Sequence, residues 1–80
     1  MLNVCVQYNT SEYRVDITRQ NGTLVKEYWA SGNEHCSHSP GCSPLRTMKT
    51  FAVRTAKEMM RELGNPAHVM TVERTDETEL

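Results

Sequence analysis

The chain has 80 residues, of which 38% are hydrophobic, and its formal net charge is −1. This size allows one domain with a modest core and excludes a deep catalytic cleft, while the near-neutral charge argues against general nucleic-acid binding. No basic-then-apolar leader opens the sequence, and no segment reaches the ~18 apolar residues of a membrane span, so we expect a soluble protein in the cytoplasm. The odd number of cysteines predicts reduced thiols rather than a disulfide scaffold.

Residues 2–31 have the pattern of three strands. Apolar and polar side chains alternate over residues 2–8, which is typical of a strand with one buried face. The Asn-Thr-Ser segment at 9–11 predicts a turn. Strands at 12–20 and 23–31 then flank Asn-Gly at 21–22, a strong hairpin signal.

Charge selects between two possible registers of this hairpin. A two-residue turn would place Asp16 opposite Glu27, whereas a three-residue loop with Gly22 in the left-handed conformation places Asp16 opposite Lys26. Because cross-strand pairs contribute roughly 0.2–1 kcal/mol each and like charges repel, we predict the three-residue loop. The side chains that this register directs into the core are Tyr13, Val15, Ile17, Val25 and Trp29. Those that it directs outward are Arg14, Lys26 and Tyr28.

A helix is predicted over residues 44–63. Ser43 is a suitable N-cap, Pro44 suits the first helical position, and Gly64 followed by Pro66 ends the helix. Apolar residues recur at helical spacing and form a stripe of Leu45, Met48, Phe51, Ala52, Val53, Ala56, Met59, Met60 and Leu63. A short fourth strand is predicted at 67–72.

The order β-β-β-α-β predicts an α+β fold with two layers, in which one long α-helix packs across one face of an antiparallel β-sheet. We expect the last strand at an edge of that sheet. Residues 1–73 then form a single domain, with a loop at 32–43, and residues 74–80 form an acidic C-terminal tail.

The loop contains "EHCSHSPGC" at 34–42, which could hold zinc or a reactive thiol. Cys36, His38 and Cys42 could supply three zinc ligands, with His35 or His68 as the fourth. However, five residues separate the two cysteines, more than the usual ligand spacing, and no second ligand pair follows. A catalytic Cys42 would need a base held in place, which a loop rich in Pro and Gly supports poorly. We therefore expect a connecting loop and no cofactor, with zinc as the alternative.

Charge is distributed unevenly along the chain. The helix carries five basic residues against two acidic ones, and residues 73–80 have a net charge of −3. Four of the basic residues share the side opposite the apolar stripe: Arg46, Arg54, Lys57 and Arg61. The acidic residues of the C-terminal segment are Glu73, Asp76, Glu77 and Glu79. Either group could bind a protein partner, although a solvated helix face is commonly charged; direct nucleic-acid binding is not expected.

Catalytic patterns are missing from the sequence. We find no Gly-rich phosphate loop, no paired catalytic carboxylates and no Ser/His/Asp arrangement, so we do not expect an enzyme.

Two segments carry a resemblance to a known family. "YRVDITRQNGTLV" is a Tyr-led hairpin with a Gly turn, and "TAKEMMRELGNPAHVMTV" is a helix closed by Gly and Asn-Pro before a strand. Together with the order of elements, they resemble small phage-encoded anti-CRISPR proteins acting on type I CRISPR-Cas systems, over roughly two-thirds of the chain. The long Cys/His loop departs from that pattern.

This resemblance implies a non-enzymatic inhibitor in the cytoplasm of a bacterial host. Such a protein binds the RNA-guided surveillance complex and blocks target DNA recognition or nuclease recruitment. The acidic C-terminal segment would then imitate phosphates in a basic channel, or the basic helix would bind an acidic subunit. The alternatives are a zinc-stapled accessory domain associated with nucleic acid and a thiol-dependent enzyme.

Overall fold

The computed structural model describes residues 1–31 and 44–75, with the side chains of the helix given from Met48 onward. The elements are β1 (Leu2–Tyr8), β2 (Glu12–Arg19), β3 (Leu24–Ser31), α1 (Pro44–Glu62) and β4 (His68–Arg74). This order confirms the predicted α+β fold with one helix on a sheet. The predicted loop at 32–43, the N-cap at Ser43 and residues 76–80 lie outside the described residues.

The four strands form one sheet in the order β3-β2-β1-β4. The pairs β1–β2 and β2–β3 are antiparallel, but β4 runs parallel to β1. The sheet is therefore mixed and not antiparallel throughout, because the chain crosses over through the helix before it adds the last strand. The predicted edge position of the fourth strand is confirmed.

The core lies between α1 and the two central strands. Alternate residues of β1 and β2 point toward the helix, and the apolar stripe of α1 covers them. The buried hydrophobic side chains are Val4, Val6, Tyr8, Tyr13, Val15, Ile17, Met48, Ala52, Ala56, Met59 and Met60. The predicted stripe is confirmed for its central residues, whereas Leu63 follows the last helical residue and is 37% exposed.

One helix covers only part of a four-stranded sheet. An α-helix with its side chains is about 10–12 Å wide, and neighbouring strands lie about 4.8 Å apart, so α1 shields about two strands. On the side of the helix, both edge strands consequently keep a large apolar side chain in solvent, Tyr28 on β3 and Val72 on β4. Leu24, Trp29 and Val69 are exposed because they point away from the helix.

Gly22, predicted in the hairpin loop, and Gly64, predicted to end the helix, both have positive φ. Gly22 has φ 89° in the hairpin loop, and the Arg19 amide donates to the Thr23 carbonyl at 2.8 Å, which closes a three-residue loop as predicted. Gly64 has φ 88° after the helix, and the next amide, of Asn65, donates to the Met60 carbonyl at 2.7 Å. Only glycine adopts this conformation without steric cost.

Beyond the loop, the hairpin register differs from the prediction. Thr18 pairs with Leu24, but Ile17 pairs with Lys26, so Val25 is an extra residue that forms a β-bulge. Beyond the bulge, Asp16 therefore faces Glu27 and not Lys26, so the predicted pairing of Asp16 is wrong.

The bulge also changes which side chains of β3 meet the helix. Trp29 faces Arg14 across the hairpin and is 54% exposed, so its predicted core position is wrong. Lys26 and Tyr28, predicted to point outward, lie on the helix side of the sheet instead. The Lys26 ammonium is 2.8 Å from the Glu62 carboxylate of α1, and the Tyr28 ring lies 6.0 Å from that of Tyr13. Val25 remains packed against the core, as predicted.

Candidate functional site

We define the open face as the side of the sheet away from α1. Strand alternation and the pairing register assign its residues, because the opposite set of side chains on β1 and β2 is buried under the helix. The open face comprises Asn3, Cys5, Gln7, Glu12, Arg14, Asp16, Thr18, Leu24, Glu27, Trp29, Ser31, Val69, Thr71 and Glu73. Four carboxylates and one guanidinium give this surface a net charge of −3.

Arg14 organises the acidic side chains at the centre of the open face. Its Nε donates to both carboxylate oxygens of Asp16, at 2.9 and 3.1 Å, and its Nη2 donates to Glu27 at 3.0 Å. The hydrogen bonds and charge of Asp16, assisted by Glu27, raise the pKa of Arg14, so the guanidinium stays charged. Two facing carboxylates are thus bridged by one cation.

Trp29 is the largest exposed apolar side chain of the open face. Its indole Nε1 donates to the Glu12 carboxylate at 3.1 Å, which restrains the orientation of the ring. A shallow groove of about 310 Å³ runs along this edge and is lined by Arg14, Glu27, Tyr28 and Trp29. A large aromatic side chain that is fixed yet exposed is typical of a binding surface.

The outer surface of α1 has the opposite charge. Lys49, Arg54, Lys57 and Arg61 are exposed there, and the Arg54 guanidinium carbon lies 5.4 Å from the centre of the Phe51 ring. Among the described residues, the ion pairs involve only Arg14 and Lys26 as cations, so these four helix cations have no ionic partner in that part of the chain.

The structure separates the predicted partner-binding residues onto two surfaces. Arg54, Lys57 and Arg61 lie together on the outer surface of α1, whereas Glu73 lies on β4 within the open face. The side chain of Arg46 lies outside the described residues, as do Asp76, Glu77 and Glu79.

Three open-face acids and Trp29 were not identified as site residues from the sequence. Glu27 becomes a neighbour of Asp16 only in the register that follows the bulge. One signal was present: the charged residues at 12, 14 and 16 alternate with apolar ones, which places all three on the same exposed face of a strand.

Cys36, His38 and Cys42, the candidate ligands of the alternative zinc site, lie outside the described residues. Of the other thiol and imidazole groups, Cys5 is a half-buried free thiol on β1. His68 donates from Nδ1 to the Pro66 carbonyl at 2.8 Å, which tethers its ring to the segment before β4. Within residues 1–31 and 44–75, no group of three or more potential metal ligands comes together.

Comparison with known proteins gives no relative for this chain: no family model, curated protein or solved structure matches it. In the described part of the chain, no helix is both long enough and apolar enough to cross a lipid bilayer. The function is therefore inferred from the side chains of the open face and of the outer surface of α1.

Proposed function

We propose that this chain is a small, non-enzymatic inhibitor that binds its partner protein through the open face of the sheet. The observation that carries this proposal is the combination of a net charge of −3 with a fixed, exposed Trp29 on a surface that the helix does not cover. Carboxylates supply complementarity to a basic partner and accelerate encounter, and an exposed aromatic side chain supplies binding energy.

The partner we propose is a type I CRISPR surveillance complex in the cytoplasm of a bacterial host. Such RNA-guided complexes hold nucleic acid in positively charged channels, chiefly through its phosphates. A carboxylate-rich sheet face would occupy such a channel and exclude target DNA without any chemical step. The resemblance of the hairpin and the helix–strand segment to anti-CRISPR proteins supports this partner class.

The geometry favours the open face over the helix as the working surface. The open-face acids are presented by a hydrogen-bonded sheet, and three of them are held through Arg14 or Trp29. The helix cations are long side chains without ionic partners in the described residues, and they lose more conformational entropy when they bind.

The first test is a plasmid-transfer or phage-infection assay in cells with an active type I system. Expression of the chain is expected to abolish interference and restore transfer. Unchanged interference against every type I system tried would reject the inhibitor assignment.

A matched pair of charge-reversal variants then tests the face. Glu27→Lys/Glu73→Lys is expected to weaken binding to the purified complex by about tenfold or more, because two attractive charges become repulsive. Arg54→Glu/Lys57→Glu changes as many charges on the helix and is expected to bind like the parent. Circular dichroism melts establish that both variants are folded. Loss of binding in the helix variant alone would show that α1, and not the open face, contacts the partner.

A further inference from the structure

We infer that Trp29, flanked by the carboxylates of Glu12 and Glu27, is the receptor for a single arginine side chain of the partner. This inference rests on the proposed function in that it uses the same open face. It adds a defined site and a defined chemical group to be recognised there.

The indole of Trp29 is prepared for a ligand before binding. Its N–H is already satisfied by Glu12 at 3.1 Å, so the ring is oriented and its polar edge needs no further partner. More than half of the side chain, 54%, remains exposed. A ring that is already held in place loses little conformational freedom when a second group stacks on it.

The charges around the indole favour a cation. The groove itself is lined by Glu27 and the guanidinium of Arg14, whose charges cancel. Glu12 at the indole N–H and Asp16 beside Arg14 bring the net charge of the surrounding surface to −2. The electron-rich face of an indole attracts cations most strongly among the aromatic side chains. An anion would be repelled by the carboxylates, and an apolar group would gain no electrostatic attraction from them.

The size and position of the groove favour one side chain. Its volume of about 310 Å³ is at the lower end of the roughly 300–1,000 Å³ of small-molecule pockets, so it suits a single extended side chain. β3 is an edge strand, so among residues 1–31 and 44–75 no further strand pairs with it and blocks lateral access.

Arginine fits this site better than lysine. A planar guanidinium stacks on an indole while its N–H groups bind a carboxylate at the ring edge, whereas an ammonium is a compact and strongly hydrated charge. The chain itself shows both contacts: Arg54 lies over the Phe51 ring, and Arg14 donates to both oxygens of Asp16.

Trp29 is the single tryptophan of the chain, so its fluorescence reports on this site. The experiment titrates the full chain with hexaarginine, hexalysine and hexaglutamate peptides. Hexaarginine is expected to change the Trp29 emission at a concentration several-fold lower than hexalysine, and hexaglutamate is expected to cause no change. Glu27→Gln is expected to weaken hexaarginine binding about 3- to 10-fold, and the control Arg54→Gln is expected to leave it unchanged.

Isothermal calorimetry with Trp29→Leu separates the indole from general charge attraction. This variant keeps every carboxylate and is expected to lose most of its preference for arginine over lysine. The inference is overturned if hexaarginine leaves the Trp29 emission unchanged, if hexalysine binds equally well, or if Trp29→Leu retains the full preference.

The peptide assay contains no CRISPR component, so it tests the arginine site independently of the proposed inhibitor function. Arginine binding without inhibition in cells would reject the proposed function and retain this site. Inhibition in cells without arginine binding at Trp29 would reject this site and retain the function.

Discussion

Asp16 and Glu27 face each other across β2 and β3, and the guanidinium of Arg14 contacts both carboxylates. If only the two facing residues are considered, this register is unfavourable, because like charges opposite each other repel. The third residue reverses the balance, since one cation within 3.0 Å of each acid compensates their repulsion. The bulge at Val25, which creates this register, therefore costs little electrostatically.

The first prediction concerns Arg14. Its replacement by Met leaves two facing carboxylates without their cation, and we expect the free energy of unfolding to fall by about 1 kcal/mol at low salt. Urea unfolding monitored by circular dichroism measures this change. The loss should shrink in high salt because these side chains are partly exposed to screening.

The matched control for Arg14→Met is the double variant Arg14→Met/Glu27→Gln. Removal of one of the two repelling charges should recover most of the lost stability. If both variants are as stable as the parent at low salt, the bridging role of Arg14 is refuted.

The second prediction concerns Asn9, a buried polar residue in the turn between β1 and β2. Its Oδ1 accepts from the amides of Ser11 and Glu12, at 2.8 and 2.9 Å. Asn9→Ala removes this acceptor and is expected to lower the free energy of unfolding by about 1–3 kcal/mol. Asn9→Ser retains a neutral oxygen that can accept from these amides and should lose less. Equal losses for both variants in urea unfolding would exclude the side-chain acceptor as the cause.

The third prediction concerns Gly22, whose φ of 89° lies in the left-handed region. An added Cβ meets no atom within 4 Å, so the cost of Gly22→Ala is conformational and not steric crowding by neighbours. We expect a loss of about 1 kcal/mol in unfolding free energy. Gly22→Asn should lose less because Asn tolerates this conformation. Thermal melts of the two variants rank them, and a fully stable Ala variant contradicts the assigned loop.

The fourth prediction concerns the pH dependence of Tyr13. Burial raises the pKa of its hydroxyl, an effect that the hydrogen bond with Thr55 at 3.0 Å partly opposes. The folded state therefore holds the phenolic proton more tightly than the unfolded state does. This contribution is complete below the unfolded pKa of about 10 and is lost as pH rises through the higher folded value.

The experiment compares Tyr13→Phe with the parent by urea unfolding at pH 9 and pH 11. The parent should lose more stability between the two pH values than the variant, which lacks the ionisable group. Tyr28→Phe is the companion variant. Tyr28 lies beside Tyr13 and raises its pKa less than burial does, so this variant should retain most of the parent's loss. The same decrease in the parent and in Tyr13→Phe would contradict the assignment.

The fifth prediction is that the folded chain holds no zinc, because the Cys36–Cys42 spacing is unfavourable for a tetrahedral site. Native mass spectrometry of protein purified without chelator is expected to give the metal-free mass, and added EDTA should leave the melting temperature unchanged. One zinc per chain would instead support the zinc-stapled alternative.

The basic surface of the helix could be predicted from the sequence, because helical spacing alone places Arg54, Lys57 and Arg61 on one side. The acidic open face could be predicted only in part. The alternation around Arg14 indicated an exposed charged strand face, but its neighbours on β3 depend on a register that local pattern does not contain.

Local sequence determined the elements and their class. Two-residue alternation defines the strands, the stripe from Met48 to Met60 defines the buried side of the helix, and Gly22 and Gly64 end elements where a left-handed residue is required. Tertiary structure decided the parallel pairing of β4 and the side on which Trp29 lies. The reason is that β3 is an edge strand with adjacent aromatic residues at 28 and 29, so either register turns one ring toward the helix side of the sheet, and the bulge at Val25 selects Tyr28.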